Sequence, residues 1–182
     1  VFWATFFEPP VNEIQTENSK LTKKEPGSTP SIEEVDDIIK ISRDEAIKGV
    51  KRIKLENKNI LGSISLEGGV IDDIVFKNYK ENLNADENVV FLNPKSSKDG
   101  YYIETGWAAS GSKVLNLPVD STIWTVKGNN YLSPNNPVVL EWNNNDGLIF
   151  QKKIELDDEF LFKITQKIKN NSKNSYQFFP YG

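Results

Sequence analysis

The residues of this chain best equipped for chemistry are two carboxylate clusters, Asp72-Asp73 and Asp157-Asp158-Glu159. A carboxylate pair can exchange protons as general acid and base, or it can hold Ca²⁺. Neither cluster has the spacing of a calcium loop. Neighbouring strand residues point to opposite faces, so Asp72 and Asp73 are expected to share neither a proton nor a metal. Both clusters read as solvated charge at strand ends. The chain has no His and no Cys, which removes the commonest general base, the commonest transition-metal ligand and any thiolate nucleophile. Ser110-Gly111-Ser112 lacks the Gly-x-Ser-x-Gly form, and no His exists to activate its hydroxyls. Gly68-Gly69 is followed by neither a Lys-Ser/Thr pair nor a helical pattern, so it is no phosphate loop. Asn170-Asn171-Ser172 has the form of a glycosylation acceptor, a triplet common by chance. Trp107, Trp124 and Trp142 could stack on sugars or peptides if exposed, but burial is the expected state for such side chains. No catalytic residue, cofactor-binding residue, metal ligand or partner-binding residue is assigned, and the chain is expected not to be an enzyme.

Composition narrows the partners. The net charge is −4 and no basic run exceeds two residues, as at Lys23-Lys24, which is set among acids. A nucleic-acid surface needs clustered cations that displace counterions, so none is expected. Even with its glycines the apolar share falls slightly below the globular norm of about 45–50%, which implies that part of the chain lies outside any core. Met is absent, so the chain is expected to begin inside a longer or processed polypeptide. Residues 1–7, rich in Phe and Trp, are far too few to span a bilayer, which takes about 20 apolar residues. They read either as a hydrophobic tail or as the last turns of a membrane helix, stopped by Pro9-Pro10.

Residues 9–30 are polar and without hydrophobic period, as in a flexible linker. Ser31 with Glu34, and again Ser42 with Glu45, make capping boxes ahead of short apolar patterns, and Gly49 would end a helix. From residue 50 the period becomes two. Ile60, Gly62, Ile64 and Leu66 point one way and Ser63 and Ser65 the other. Gly68-Gly69 can turn the chain into a return strand beginning at Val70, because both positions tolerate φ > 0. Residues 89–92 and 101–107 are further strand candidates. Residues 138–142, 148–156 and 160–168 are three strands joined by tight turns, which makes an antiparallel meander. Within the second, Leu148, Phe150, Ile154 and Leu156 alternate with Gln151, Lys153 and Glu155. Tyr176, Phe178 and Phe179 begin one more. Short strands punctuated by turns indicate an all-β antiparallel sandwich over residues 50–182. A strand pattern running up to Pro180-Tyr181-Gly182 suggests a sandwich that continues beyond this segment.

The stretch from Gly62-Ser63-Ile64 through Gly68-Gly69, Ile71-Asp72-Asp73-Ile74 and Asn78-Tyr79-Lys80-Glu81 resembles the opening hairpin of the periplasmic domain of the YidC-type bacterial membrane protein insertases. Ser42-Arg43-Asp44-Glu45-Ala46, the 101–107 stretch and residues 1–10 fit the same resemblance in order. It implies a galactose-mutarotase-like super-sandwich and assigns residues 1–8 to the end of a transmembrane helix, 9–49 to a periplasmic linker with a possible short helix, and 50–182 to part of the periplasmic domain. It implies a multi-pass inner-membrane protein that inserts and folds nascent inner-membrane proteins, alone or with the Sec translocon, and contacts SecD/SecF. Residues 148–179 are the candidate contact region. The insertion machinery of this family is a membrane core with an essential Arg. Arg43 and Arg52, the only arginines, read as lying in polar surroundings before the sandwich, so no functional residue carries over. A carbohydrate-binding sandwich of the same fold is the alternative, although a mutarotase would need a His. A secreted adhesion sandwich is a third reading.

Overall fold

The computed structural model describes residues 40–111 and 115–182. The hydrophobic run at residues 1–7, the polar stretch 9–30 and the helix pattern from Ser31 fall outside them, as does Ser112. The described part opens with α1 (Arg43–Lys48), which forms because both halves of its capping box are made. The Ser42 side chain accepts from the Glu45 N–H and the Glu45 carboxylate accepts from the Ser42 N–H at 3.0 Å. Gly49 closes it.

Two principal sheets follow. In the first, β4 (Asn88–Leu92), β3 (Ile71–Lys80), β2 (Ile60–Ser65), β1 (Arg52–Glu56) and β7 (Tyr131–Leu132) lie side by side in that order. In the second the order is β10 (Phe162–Asn170), β9 (Leu148–Leu156), β8 (Val138–Asn143) and β6 (Thr125–Lys127). A short pair joins β5 (Gly106–Ser110) to β11 (Gln177–Tyr181). The expected antiparallel sandwich is present, and β8, β9 and β10 form the expected meander. Two details differ from expectation. β7 pairs with β1 in parallel, which a local pattern cannot show because the partners lie far apart in sequence. The strand after Tyr101 runs Gly106–Ser110, while Tyr101 and Ile103 make only single bridges. The further strand expected from Tyr176 is β11, which pairs with β5.

One continuous core lies between the sheets. β9 supplies its spine: Leu148, Phe150, Lys152, Ile154 and Leu156 are buried and the alternate residues Ile149, Gln151, Lys153 and Glu155 half-buried, the alternation expected of a strand packed on one face. Each such side chain contributes about 1.5–3 kcal/mol by leaving water. Trp107 stacks on Trp124 with ring centroids 6.3 Å apart and meets Phe150 edge-on at 5.2 Å. Trp142, half-buried, leans on the same Phe150. The turns are sewn by side-chain amides. Asn57, buried, donates to the Asp157 and Glu159 carbonyls at 2.9 and 2.8 Å, tying the β1–β2 turn to the β9–β10 turn. Asn144, also buried, accepts from the Asp146 and Leu148 N–H groups and shapes the β8–β9 turn, where Asn145 and Gly147 have φ of 62° and 89°.

Gly62 on β2 faces the backbone of its partner strand so closely that a Cβ there would overlap the Asp73 carbonyl. Gly62→Ala is therefore expected to lower stability by about 2–3 kcal/mol through overpacking. Gly49→Ala, whose nearest atom would be 3.5 Å away in an ordinary helical conformation, serves as the control. Urea unfolding of both variants checks this; equal midpoints would contradict it.

Candidate functional site

Two groups of polar residues are held inside the domain. The first grows from the Asp72-Asp73 pair. Both aspartates are buried, at 6% exposure each, which corrects the reading of solvated strand-end charge. The physical reason is a β-bulge. Ser63 pairs with Asp73 but the next residue, Ile64, pairs with Ile71, so Asp72 is an extra residue in β3. The bulge breaks strict alternation, and both carboxylates turn inward. Each meets its own arginine: Arg52 pairs with Asp72, and Arg43 on α1 pairs with Asp73. Ser63 links the two, accepting from Arg52 Nε at 2.7 Å and donating to Asp73 at 2.5 Å. Burial pushes the Asp72 carboxyl above the usual carboxylate range, and the Arg52 guanidinium opposes that rise. Arg52 is thus no residue of a polar approach but a member of β1 with its side chain 8% exposed. The network docks α1 onto the sheet. Each carboxylate is committed to a guanidinium.

The second group centres on Lys152. It occupies the inward register of β9 between Phe150 and Ile154 and is 1% exposed. Its Nζ donates to the Gly68 and Gly69 carbonyls at 3.2 and 3.3 Å and lies 4.9 Å from the centre of the Trp124 ring. The Gly68-Gly69 turn, with φ of 71° and 64°, aims both carbonyls inward. Only glycine fits there, because a Cβ on Gly69 would press on Trp124 and on the Lys152 Nζ itself. Burial lowers the Lys152 pKa to about 8, opposed by the negative charge of Glu104. Glu104 is in turn raised by burial and by neighbouring Asp120, which pairs with Lys95 on the surface. Alternation puts Lys153 on the polar face of this strand, as observed, and Lys152 falls on the buried face. Its signal was present: a lysine at an inward position of an otherwise apolar row.

The remaining candidates are structural or solvent-facing. Trp107 and Trp124 are core. Asp157, Asp158 and Glu159 form an exposed turn, as expected. Asn170 is exposed and its side chain shapes the following turn through Ser172 at 2.9 Å. Among the described residues no cluster of three or more potential metal ligands occurs, and no described helix is long and apolar enough to cross a membrane. An apolar trough of about 590 Å³ opens on the first sheet, walled by Phe76, Tyr79, Phe91, Phe160 and Phe162.

The buried ammonium generates a pH signature. Below about pH 8 it is charged in the folded and the unfolded chain alike. Between about 8 and 10.5 the unfolded chain keeps its proton while the folded one loses it, so folding stability rises with pH. Wild type is expected to gain about 2.5 kcal/mol from pH 7 to pH 10 relative to Lys152→Met. Urea unfolding of both proteins across that range measures the difference, and parallel profiles would contradict it.

Comparison with known proteins places this framework. The family described as the YidC periplasmic domain matches residues 52–182. A protein named membrane protein insertase YidC from Pelagibacter ubique is 42% identical over 185 aligned residues, covering 100% of this chain and 33% of that protein. Proteins of the same name from Jannaschia sp. and Beijerinckia indica are 38% and 36% identical, covering 75% and 86% of this chain and 22% and 25% of their own lengths. The chain therefore spans between about a fifth and a third of the length of these relatives. The match begins at Arg52, the first residue of β1, and takes in every strand of both sheets. This chain belongs to the YidC family of membrane protein insertases, and its sandwich is the periplasmic domain of that family.

Proposed function

We propose that the chain is part of an inner-membrane insertase that inserts and folds nascent membrane proteins, alone or with the Sec translocon. The observation that carries this reading is the coincidence of the family match with the whole strand framework, from Arg52 onward. In it, residues 1–8 end a transmembrane helix, 9–49 are the periplasmic approach, and 50–182 are a sandwich that scaffolds or binds partners and performs no catalysis. The polar groups inside the domain support that role, for they join structural elements: Arg43 fastens α1 to β3, and Lys152 fastens β9 to the β2–β3 turn.

The partner surface is assigned to β10, within the 148–179 region, with SecD/SecF as the partners. β10 is an edge strand of its sheet, so one side of its backbone can accept a strand from another chain. Lys163, Thr165, Lys167 and Lys169 form its exposed row, and edge lysines deter indiscriminate pairing. Carbohydrate binding through the tryptophans would need them exposed, whereas Trp107 and Trp124 are buried and Trp142 is half-buried.

Two experiments on the full-length protein test this. In cells depleted of their own insertase, it is expected to restore membrane-protein insertion; no rescue despite normal membrane localisation would overturn the functional reading. A photoreactive residue at Thr165 or Lys167 is expected to give adducts with SecD or SecF, and one at Asn143 none. Rescue without β10 adducts would move the partner surface elsewhere.

A further inference from the structure

The Gly68-Gly69 turn covers Lys152. Its two carbonyls lie on the ammonium, Gly69 is buried against it, and the indole of Trp124 closes another side. The turn is held from outside its own hairpin as well. The Gly68 N–H donates to the Thr122 carbonyl at 2.8 Å, and the Trp124 N–H donates to the Leu66 carbonyl at 2.8 Å. Beside the turn lies an open cleft of about 350 Å³, whose lining includes the polar residues Glu67, Glu104, Asp120 and Ser121. The lysine therefore has a solvent-open cleft next to the turn that covers it.

We infer that the Gly68-Gly69 turn is a proton-linked lid: opening it hydrates the Lys152 ammonium, so protonation favours the open turn and deprotonation the closed one. The physical ground is desolvation. An ammonium in the core has given up its water for two carbonyls and one ring face, which replace only part of that hydration. Two of its N–H groups have partners in the carbonyls, and the remaining stabilisation is the cation–π contact. Opening restores water to the charge and loses the contacts; a neutral amine has far less to gain. The ionisable neighbour that opposes this is Glu104, whose charge favours the ammonium where it is, with Asp120 and its partner Lys95 behind it. Glu67 flanks the turn but is exposed. Across the strands Lys152 is registered with Leu140 on β8 and Gln166 on β10, neither of which ionises.

The sign follows from linkage. Burial lowers the closed-state pKa of Lys152 to about 8, below the ordinary lysine range that an opened, hydrated state would approach. The open state therefore binds the proton more tightly, and raising pH through this window closes the lid. From pH 7 to pH 9 the opening constant is expected to fall about tenfold.

Native-state hydrogen exchange of the full chain, corrected for intrinsic rates, reads this at the Gly68 amide, with the Ile154 amide reporting the core. In wild type the Gly68 opening constant is expected to drop about tenfold between pH 7 and 9, while Lys152→Met is flat. Lys152→Gln replaces it should the methionine variant fail to fold. A pH-independent Gly68 opening in wild type would overturn the inference. So would the same slope in a folded Lys152 variant, which would assign the effect to another group.

Discussion

The ammonium of Lys152 is a charge in a place where charges are costly, and the packing around it is arranged to meet that cost. Carbonyls come from the first sheet's β2–β3 turn, a ring face comes from Trp124 ahead of β6, and the side chain itself comes from the central strand of the meander. One side chain thus touches both halves of the sandwich. It requires two glycines at the turn, since a Cβ at Gly69 would collide with the indole and the amine. It also requires Trp124 to be core rather than surface. At the other end of the domain Asn57 does the neutral equivalent, donating to two carbonyls of the opposite turn. The sheets are therefore joined by apolar packing in the middle and by directed hydrogen bonds at both ends. Apolar packing supplies most of the free energy, while directed bonds select one register among several of similar burial.

The arginine–aspartate network works in the same way at β2 and β3. A bulge places two consecutive carboxylates inward, and two arginines from different elements answer them. Removing one partner would leave an uncompensated buried charge, which is far worse than losing an exposed pair. Arg43 thereby fixes α1, and with it the point at which the chain enters the domain, because the Ile41 N–H also donates to the Ser96 carbonyl at 3.2 Å.

Much of the architecture was legible from period and turn chemistry. The Ser42 to Gly49 helix signals, the 148–156 alternation and the Asn143 to Gly147 turn all describe local geometry, and local residues decide it. What escaped was decided at a distance. The parallel β1–β7 pair and the β5–β11 pair join segments that carry no mutual signal. Asp72-Asp73 read as surface because a bulge is invisible to an alternation rule, and the Arg partners lie 20 and 30 residues away. Lys152 sits in perfect register with apolar neighbours, so its position argued for burial while its type argued against. The structure resolves the conflict in favour of position.

The central claim is that a charged Lys152, held on Trp124, couples the two halves of the sandwich. A double-mutant cycle of Lys152→Met and Trp124→Leu, followed by urea unfolding at pH 7 and pH 10, isolates that pair. At pH 7 the coupling should be about 1–2 kcal/mol, as for a desolvated cation–π contact, and at pH 10, with the amine neutral, it should shrink sharply. Additive effects at pH 7, or a coupling equal at both pH values, would show that the contact is mere packing and contradict the account.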